Sequence, residues 1–233
     1  MMKHFPASAR HSVDLGWLRS AMSFSFGEYF DPDNSSFGVM RVLNDDTIAP
    51  GRGFGAHPHS EMEIVTIPLT GRLKHEDNLG NIEVTSAGEV QRMSAGTGII
   101  HAEYNDSDTE EGTFLQLWFM PKERGLAPSY EMASYDEAKL QNALLPVVTP
   151  DGAGDTASIN QDMTIYLGRL QPGRRIFFNQ KTGRRAFVMV LEGNLNVNGI
   201  AMGPKDSIRA EFEPDFVLSA AEESAFVMLI DLP

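Results

Sequence analysis

Short apolar stretches alternate with turn punctuation along the whole chain. FGVMRVLN, EIVTIPL, FLQLWFM, RIFF, AFVMVLEG and FVMLIDLP are separated by DPDN, APGRG, DNLGN, PDGAGD, QPGRR and VNG. Runs of this length, rich in β-branched and aromatic residues and bounded by Gly, Pro, Asn and Asp, predict many short strands rather than helices. One stretch departs from the pattern. Within residues 129–145, SYDEAKLQNALL sets Leu140, Ala143 and Leu144 at helical spacing, with Ser129 or Asp136 as a cap. It runs into VVTPDGAGDTAS, a composition suited to a connector. The expected fold is all-β in two lobes, 1–130 and 156–233, joined by a short helical connector over 131–155.

A weak internal repeat supports two lobes. IPLTGRL around Gly71 resembles MVLEGNL around Gly193, and FLQLWFMP at Phe114 resembles FVMLIDLP at Phe226. The histidines separate the halves. All six (His4, His11, His57, His59, His75, His101) precede residue 102, and the positions equivalent to His57 and His59 in the second half are Asn179 and Lys181. Only the first lobe is expected to hold a metal.

A chain of 233 residues can bury a substantial core. Its 32 acidic and 19 basic side chains give a formal charge of −13, which repels phosphate backbones and argues against a direct nucleic-acid partner. Arg174, Arg175, Lys181, Arg184 and Arg185 crowd together around turn signals and read as a solvated patch. The absence of cysteine excludes disulfides, thiolate metal sites and cysteine nucleophiles. The N-terminal MMKHFPASARHSVDLGW has no continuous apolar core of a signal peptide, and no run approaches a membrane span. A cytoplasmic monomer without membrane contact is expected.

Two segments carry candidate chemistry. The first is Gly51 to Glu63, GRGFGAHPHSEME; the second is Gly88 to Asn105, GEVQRMSAGTGIIHAEYN. Residues i and i+2 of an extended chain share a face, so His57 and His59 present two imidazoles side by side, and His101 and Glu103 repeat the geometry. Pro58 removes a ladder donor, which predicts an edge or the entrance of a strand. Two such strands facing each other offer three neutral nitrogens and one carboxylate. That donor set suits iron, manganese, nickel, copper or zinc better than magnesium or calcium, and it leaves coordination positions open for chemistry.

These motifs, G-x5-H-x-H-x3-E at Gly51–Glu63 and G-x5-S-x-G with His101-x3-Asn105, resemble the two motifs of the cupin superfamily. Ser94 stands where cupins usually have proline, four residues rather than two separate Gly96 from His101, and Glu63 occupies the usual carboxylate-ligand position. The departures match the pirin branch, in which a glutamate two residues after the last histidine is the ligand instead. SFSFGEYFDPDN, FGVMRVLNDDTIAPGRGFGAHPH, HEDNLGN, MSAGTGIIHAEYN and LQLWFMP extend the pirin resemblance over most of the chain. Ser60, Pro68 and Ala102 differ from what many relatives carry there. The resemblance implies a bicupin of two β-barrels with one ion, held by His57, His59, His101 and Glu103 in the first. Fe(II) is the expected divalent transition metal, with Zn, Mn, Ni, Co and Cu as alternatives. Pirin-like proteins include enzymes that open the flavonol quercetin with O2, for which Glu103 is the expected catalytic base, the substrate a small aromatic. Others are regulators that act through protein partners.

The remaining candidates have plainer readings. Glu63 is expected to support the site indirectly and Glu61 to be solvated. His75, Glu76 and Asp77 read as the polar start of a hairpin. Phe24, Phe26 and Tyr29 read as core, with the lining of a pocket mouth as the alternative; Trp118, Phe119 and Met120 read as core, as do Phe187, Phe226 and Met228. Asp45-Asp46 reads as a turn.

Overall fold

A computed structural model describes residues 1–233. Its regular structure is almost entirely antiparallel strand, and no helix is long and apolar enough to cross a membrane. The chain divides into two compact units, one of His11–Tyr135 and Pro150–Gln161, the other of Met1–Arg10, Asp136–Thr149 and Asp162–Pro233. The linear cut at 130 and 156 therefore needs correcting. Met2–Phe5 forms an edge strand antiparallel to Ser207–Glu211, which places the first ten residues in the C-terminal unit.

The helical connector also shrinks. Ser129–Ser134 is a strand laddered to Glu89–Ser94, and Leu145–Thr149 is a strand laddered to Thr164–Leu170. Between them lies a single 3-10 turn, Glu137–Leu140, capped by Asp136, whose carboxylate accepts from the Ala138 amide. Leu140 is its one buried residue, and Asn142 at φ 56° ends the helical path before a second turn can form.

In the His11–Tyr135 unit a large sheet runs in the order Ser129–Ser134, Glu89–Ser94, Glu63–Thr70, Gly112–Phe119, Met40–Ile48, Leu18–Met22, His11–Asp14. A four-stranded sheet runs Gly53–His59, Ile99–Asn105, Arg72–Asp77, Ile82–Ser86. The sheets close on each other through Leu18, Ile48 and Phe114 against Leu73, and through Ile64, Met93 and Ala95 against Ile99. The other unit repeats the plan. Ser207–Glu211, Arg185–Glu192, Ala225–Leu232, Thr164–Leu170 and Leu145–Thr149 are neighbours in that order, and the small sheet runs Arg175–Asn179, Asp215–Ser219, Leu195–Val197, Ile200–Met202. Gly71 and Gly193, the repeat's landmarks, both turn between strands at left-handed φ, 76° and 72°. The duplicated all-β architecture expected from the sequence is thus what the chain forms.

The interior of this second unit is apolar, with Val188, Val190, Ile208, Val227 and Leu229 all fully buried. Asn179 hydrogen-bonds Asp215 at the end of its strand, and Lys181 lies in the turn beyond. The basic patch is not simply solvated: Arg184 is held between Asp162 and Asp231, and Arg185 pairs with Glu211.

The first unit differs by carrying a polar row inside. Cross-strand register aligns Asn44 with Gln116, Gln116 with Thr66, and Thr66 with Gln91, all facing the four-stranded sheet. Opposite them, Gly53–His59 is the edge strand, as Pro58 required. It approaches Ile99–Asn105 so closely that a Cβ on Gly53 would lie 2.1 Å from the Glu103 carbonyl oxygen and 2.6 Å from the Tyr104 Cα. Gly53→Ala should therefore cost about 1–3 kcal/mol in urea unfolding. Gly55→Ala, where a Cβ would meet nothing within 4 Å, is the matched control and should cost markedly less.

Candidate metal centre

The small sheet brings the two histidine segments together by register alone. His101 pairs with His57 and Ile99 with His59, while Glu103 pairs with Phe54. The pairing slips by one residue between His101 and Glu103, a bulge on the Gly53–His59 strand that re-aims its side chains. His57, His59 and His101 converge, with ring centroids 4.8 Å apart for His57–His59, 4.5 Å for His57–His101 and 4.9 Å for His59–His101. Each offers a ring nitrogen within 4.8 Å of the others.

Hydrogen bonding assigns the protons. His57 Nδ1 lies 2.7 Å from the Gly55 carbonyl, which only accepts, so Nδ1 carries the proton and Nε2 a lone pair. His75 Nε2 donates to Asp77 Oδ2 at 3.0 Å, leaving His75 Nδ1 to accept from His101 Nδ1 at 3.3 Å. His101 Nε2 then also presents a lone pair, and it faces His57 Nε2 at 3.1 Å. His59 Nε2 is buried and has no protein partner. Two lone pairs facing each other beside the unpartnered His59 Nε2 repel one another unless a cation sits among them, so the residues fit a metal ion.

Burial disfavours the charged form of His59 and His101. It lowers His59 to about 4 and His101 to about 2, with the neighbouring histidines adding to the effect. His75 is lowered as well, by burial that outweighs Asp77. Burial works against the Asp77 carboxylate, but hydrogen bonds from His75 and Asn81 hold it below the usual range. Neutral histidine is the form that ligates.

Glu103 is fully buried between two amides. Gln91 Nε2 donates to Oε1 at 2.6 Å and Gln116 Nε2 to Oε2 at 2.7 Å. The amides are themselves oriented, because Tyr130 and Thr85 donate to Gln91 Oε1 and Trp118 Nε1 donates to Gln116 Oε1. Complete burial pushes the carboxyl up to about 7 against those hydrogen bonds. Glu103 groups with His101 and His75, donor atoms within 4.8 Å, so His101 belongs to both clusters.

His57, His59 and Glu103 border a cavity of about 430 Å³ walled by Trp17, Phe26, Phe54 and Trp118. Several plain sequence readings change here. Phe24 is core, but Phe26 and Trp118 face this cavity. Asp45-Asp46 is no turn: both lie in the strand Met40–Ile48, and Asp46 is buried at the cavity edge. His75 is fully buried behind His101 and stacked on Tyr130, centroids 4.3 Å apart. Its HxD spacing, the same i, i+2 rule that found the ligand pairs, was the available signal. Glu63 sits on the opposite face of its strand from Ile64 and Thr66, where its Oε2 accepts from Ser94 Oγ at 2.7 Å and the Asn160 amide at 3.1 Å. Ser94, which departs from the cupin motif, and Glu63, which keeps it, are thus bonded to each other, away from the histidines. Glu61 accepts from the Gly125 amide.

Comparison with known proteins places the chain in a family. The family model described as Pirin matches residues 5–119, and that described as Quercetinase C-terminal cupin domain matches residues 146–232. The quercetin 2,3-dioxygenase of Escherichia coli K12 is 39% identical over 97% of this chain and 96% of its own length. A pirin-like protein of Caulobacter vibrioides is 35% identical over 98% of this chain and 99% of its own. The crystal structure of the Escherichia coli bacterial pirin YhhW in complex with nickel(II) superposes with a TM-score of 0.94 at 38% identity, covering 100% of this chain and 99% of that one.

Two expectations follow from the buried network. His75→Phe keeps the stack on Tyr130 but removes the acceptor behind His101, and should weaken metal binding about 10–100-fold in a competitive chelator titration. The second concerns pH in metal-free protein. With its carboxyl raised from 4.5 to about 7, folded Glu103 keeps a proton that the unfolded chain has shed. Its contribution is complete below 4.5 and is lost as pH rises through about 7. Glu103→Gln should therefore gain stability relative to wild type between about pH 5 and about pH 8, measured by urea melts in chelator. Parallel curves for the two proteins would contradict the buried proton.

Proposed function

Because this chain belongs to the pirin family, we propose that it is a metal-dependent dioxygenase that opens a flavonol such as quercetin with O2, using His57, His59, His101 and Glu103 as metal ligands. The observation that carries the reading is the convergence of three imidazoles beside an aromatic-walled cavity lined by two of them and by Glu103. The names of the Escherichia coli relatives, a quercetin 2,3-dioxygenase and a nickel(II)-binding pirin, support it. We assign Fe(II) as the resident ion, with nickel the first alternative; three nitrogens and one oxygen also accept Zn, Mn, Co and Cu.

The ion, when bound, supplies Lewis acidity and a redox route between the aromatic ring and O2. The chain supplies the rest. Trp118 and Phe26, edge to face at 5.3 Å, and Trp17 and Phe54, at 5.4 Å, form flat walls that hold a planar ring and exclude water. Glu103, with a carboxyl near neutrality, is suited to take the proton of the flavonol hydroxyl. Gln91 and Gln116 keep its oxygens in place while the proton arrives.

A second reading, a regulatory protein whose metal state changes a protein-binding surface, draws on Leu79 and Ile100. Leu79, in the turn after Arg72–Asp77, and Ile100, on the strand that carries His101, are exposed and linked by the Asn78 amide bonded to the Ile100 carbonyl. Oxygen uptake separates the two. Metal-loaded wild type should consume O2 with a flavonol, and Glu103→Gln should retain metal yet lose about 10²–10⁴ of the rate. Near-normal turnover in the variant would remove Glu103 as the base. No uptake by wild type with any of the candidate ions would favour the regulatory reading.

A further inference from the structure

The cavity beside the imidazoles has a second polar feature that metal binding does not use. Asn44 and Asp46 alternate onto one face of the strand Met40–Ile48 and both line the cavity. They are 3% and 4% exposed, and Oδ1 of each is buried without a hydrogen bond from the protein. Their surroundings offer little relief: the hydroxyl of Ser20, cross-strand partner of Asp46, is beside its carboxyl but leaves Oδ1 unpaired. The amide nearest in register to Asn44, that of Gln116, is committed to Glu103. The remaining walls are the rings of Trp17, Phe26, Phe54 and Trp118, the glycines Gly53 and Gly55, and the side chains of His57, His59 and Glu103.

Two unmet buried acceptors at successive same-face positions are costly in a core, where apolar side chains of the same size would pack without penalty. Facing a cavity, they become a recognition element for a hydrogen-bond donor carried by a ligand. The aromatic walls specify a planar ring around that donor, and a phenolic O–H combines the two. Burial, opposed by a hydrogen bond from Ser20 and reinforced by Asp45, pushes the Asp46 carboxyl up to about 7.

We propose that Asn44 and Asp46 form a second polar anchor, separate from the metal ligands, which accepts hydrogen bonds from hydroxyl groups on an aromatic ligand and so selects hydroxylated rings over bare ones. This deepens the dioxygenase reading and rests on the cavity being its substrate pocket. It predicts a substrate with at least one donating hydroxyl beyond the group that reaches the ion.

The chain's two tryptophans, Trp17 and Trp118, both line the cavity, so their fluorescence reports on binding there. Three flavonols would be titrated into nickel(II)-loaded protein: one with hydroxyls on its pendant ring, one with that ring bare, and one with those hydroxyls methylated. Wild type should bind the hydroxylated ligand about tenfold or more tighter than the bare one. The methyl ether, which keeps the oxygen and loses the donor, should bind no better than the bare ring. Asn44→Leu and Asp46→Leu should each erase most of the preference while leaving affinity for the bare ligand in place, and Asp46→Asn, which keeps an acceptor, should retain it. An unchanged preference in the leucine variants overturns the proposal. So does an ether that binds as tightly as the hydroxyl, a result obtained on wild type even if the leucine variants fail to fold. If none of the three ligands binds, the substrate-pocket reading falls and this inference falls with it; if all bind without preference, only the inference falls.

Discussion

The strand Ile99–Asn105 pairs with Gly53–His59 along one edge and with Arg72–Asp77 along the other, and the whole centre depends on that double pairing. On the first side it sets His101 against His57 and Ile99 against His59; on the second it sets Glu103 against His75 and His101 against Asp77. Strand side chains repeat every two residues, so a one-residue slip on either edge would turn an entire set to the wrong face. The small glycines and the bulge on Gly53–His59 make the close approach feasible. The turn at Asp77–Asn81 pins the other side, where the Asp77 carboxylate also accepts from the Leu79 and Asn81 amides and the Asn81 side chain.

Electrostatics explains why this interior can be polar at all. Neutral imidazoles and amides bury at modest cost when each donor finds an acceptor, whereas charged groups do not. The large sheet meets that condition with glutamines rather than with lysine or arginine. Gln91 and Gln116 satisfy Glu103 without adding charge, so the carboxyl retains a proton affinity that neighbouring cations would have suppressed. The basic residue closest in sequence, Arg92, points from the opposite face and is taken up by Glu131, Ser129 and the Ser158 carbonyl.

Much of this was legible in the chain because it rests on alternation. The H-x-H and H-x-E pairs, the edge position of the Pro58 strand and the duplicated sheet plan all follow from period-two patterning and turn residues. What stayed hidden depended on pairing between distant strands. Nothing local marks Gln91 and Gln116 as the pair that will hold Glu103, and Asp46 reads as half of an acidic turn until the register of Met40–Ile48 carries it inward. His75 lies beside acidic residues that suit a hairpin, and only the ladder to Ile99–Asn105 reveals what it touches. The connector misled for the converse reason: Leu140, Ala143 and Leu144 have helical spacing, but flanking strands claim the backbone on both sides.

The bond between Ser94 and Glu63 has a bearing on descent. These two positions are cross-strand partners: Ser94 departs from the wider cupin pattern, while Glu63 keeps the motif's glutamate but turns it to Ser94 instead of the histidines. A proline at 94 would leave the buried Glu63 carboxylate without its hydroxyl donor, and an apolar residue at 63 would leave the hydroxyl without its acceptor. Drift at either position is therefore penalised until the other changes. Among relatives the two sites should covary as a single character, one that records on which strand a lineage keeps its carboxylate ligand.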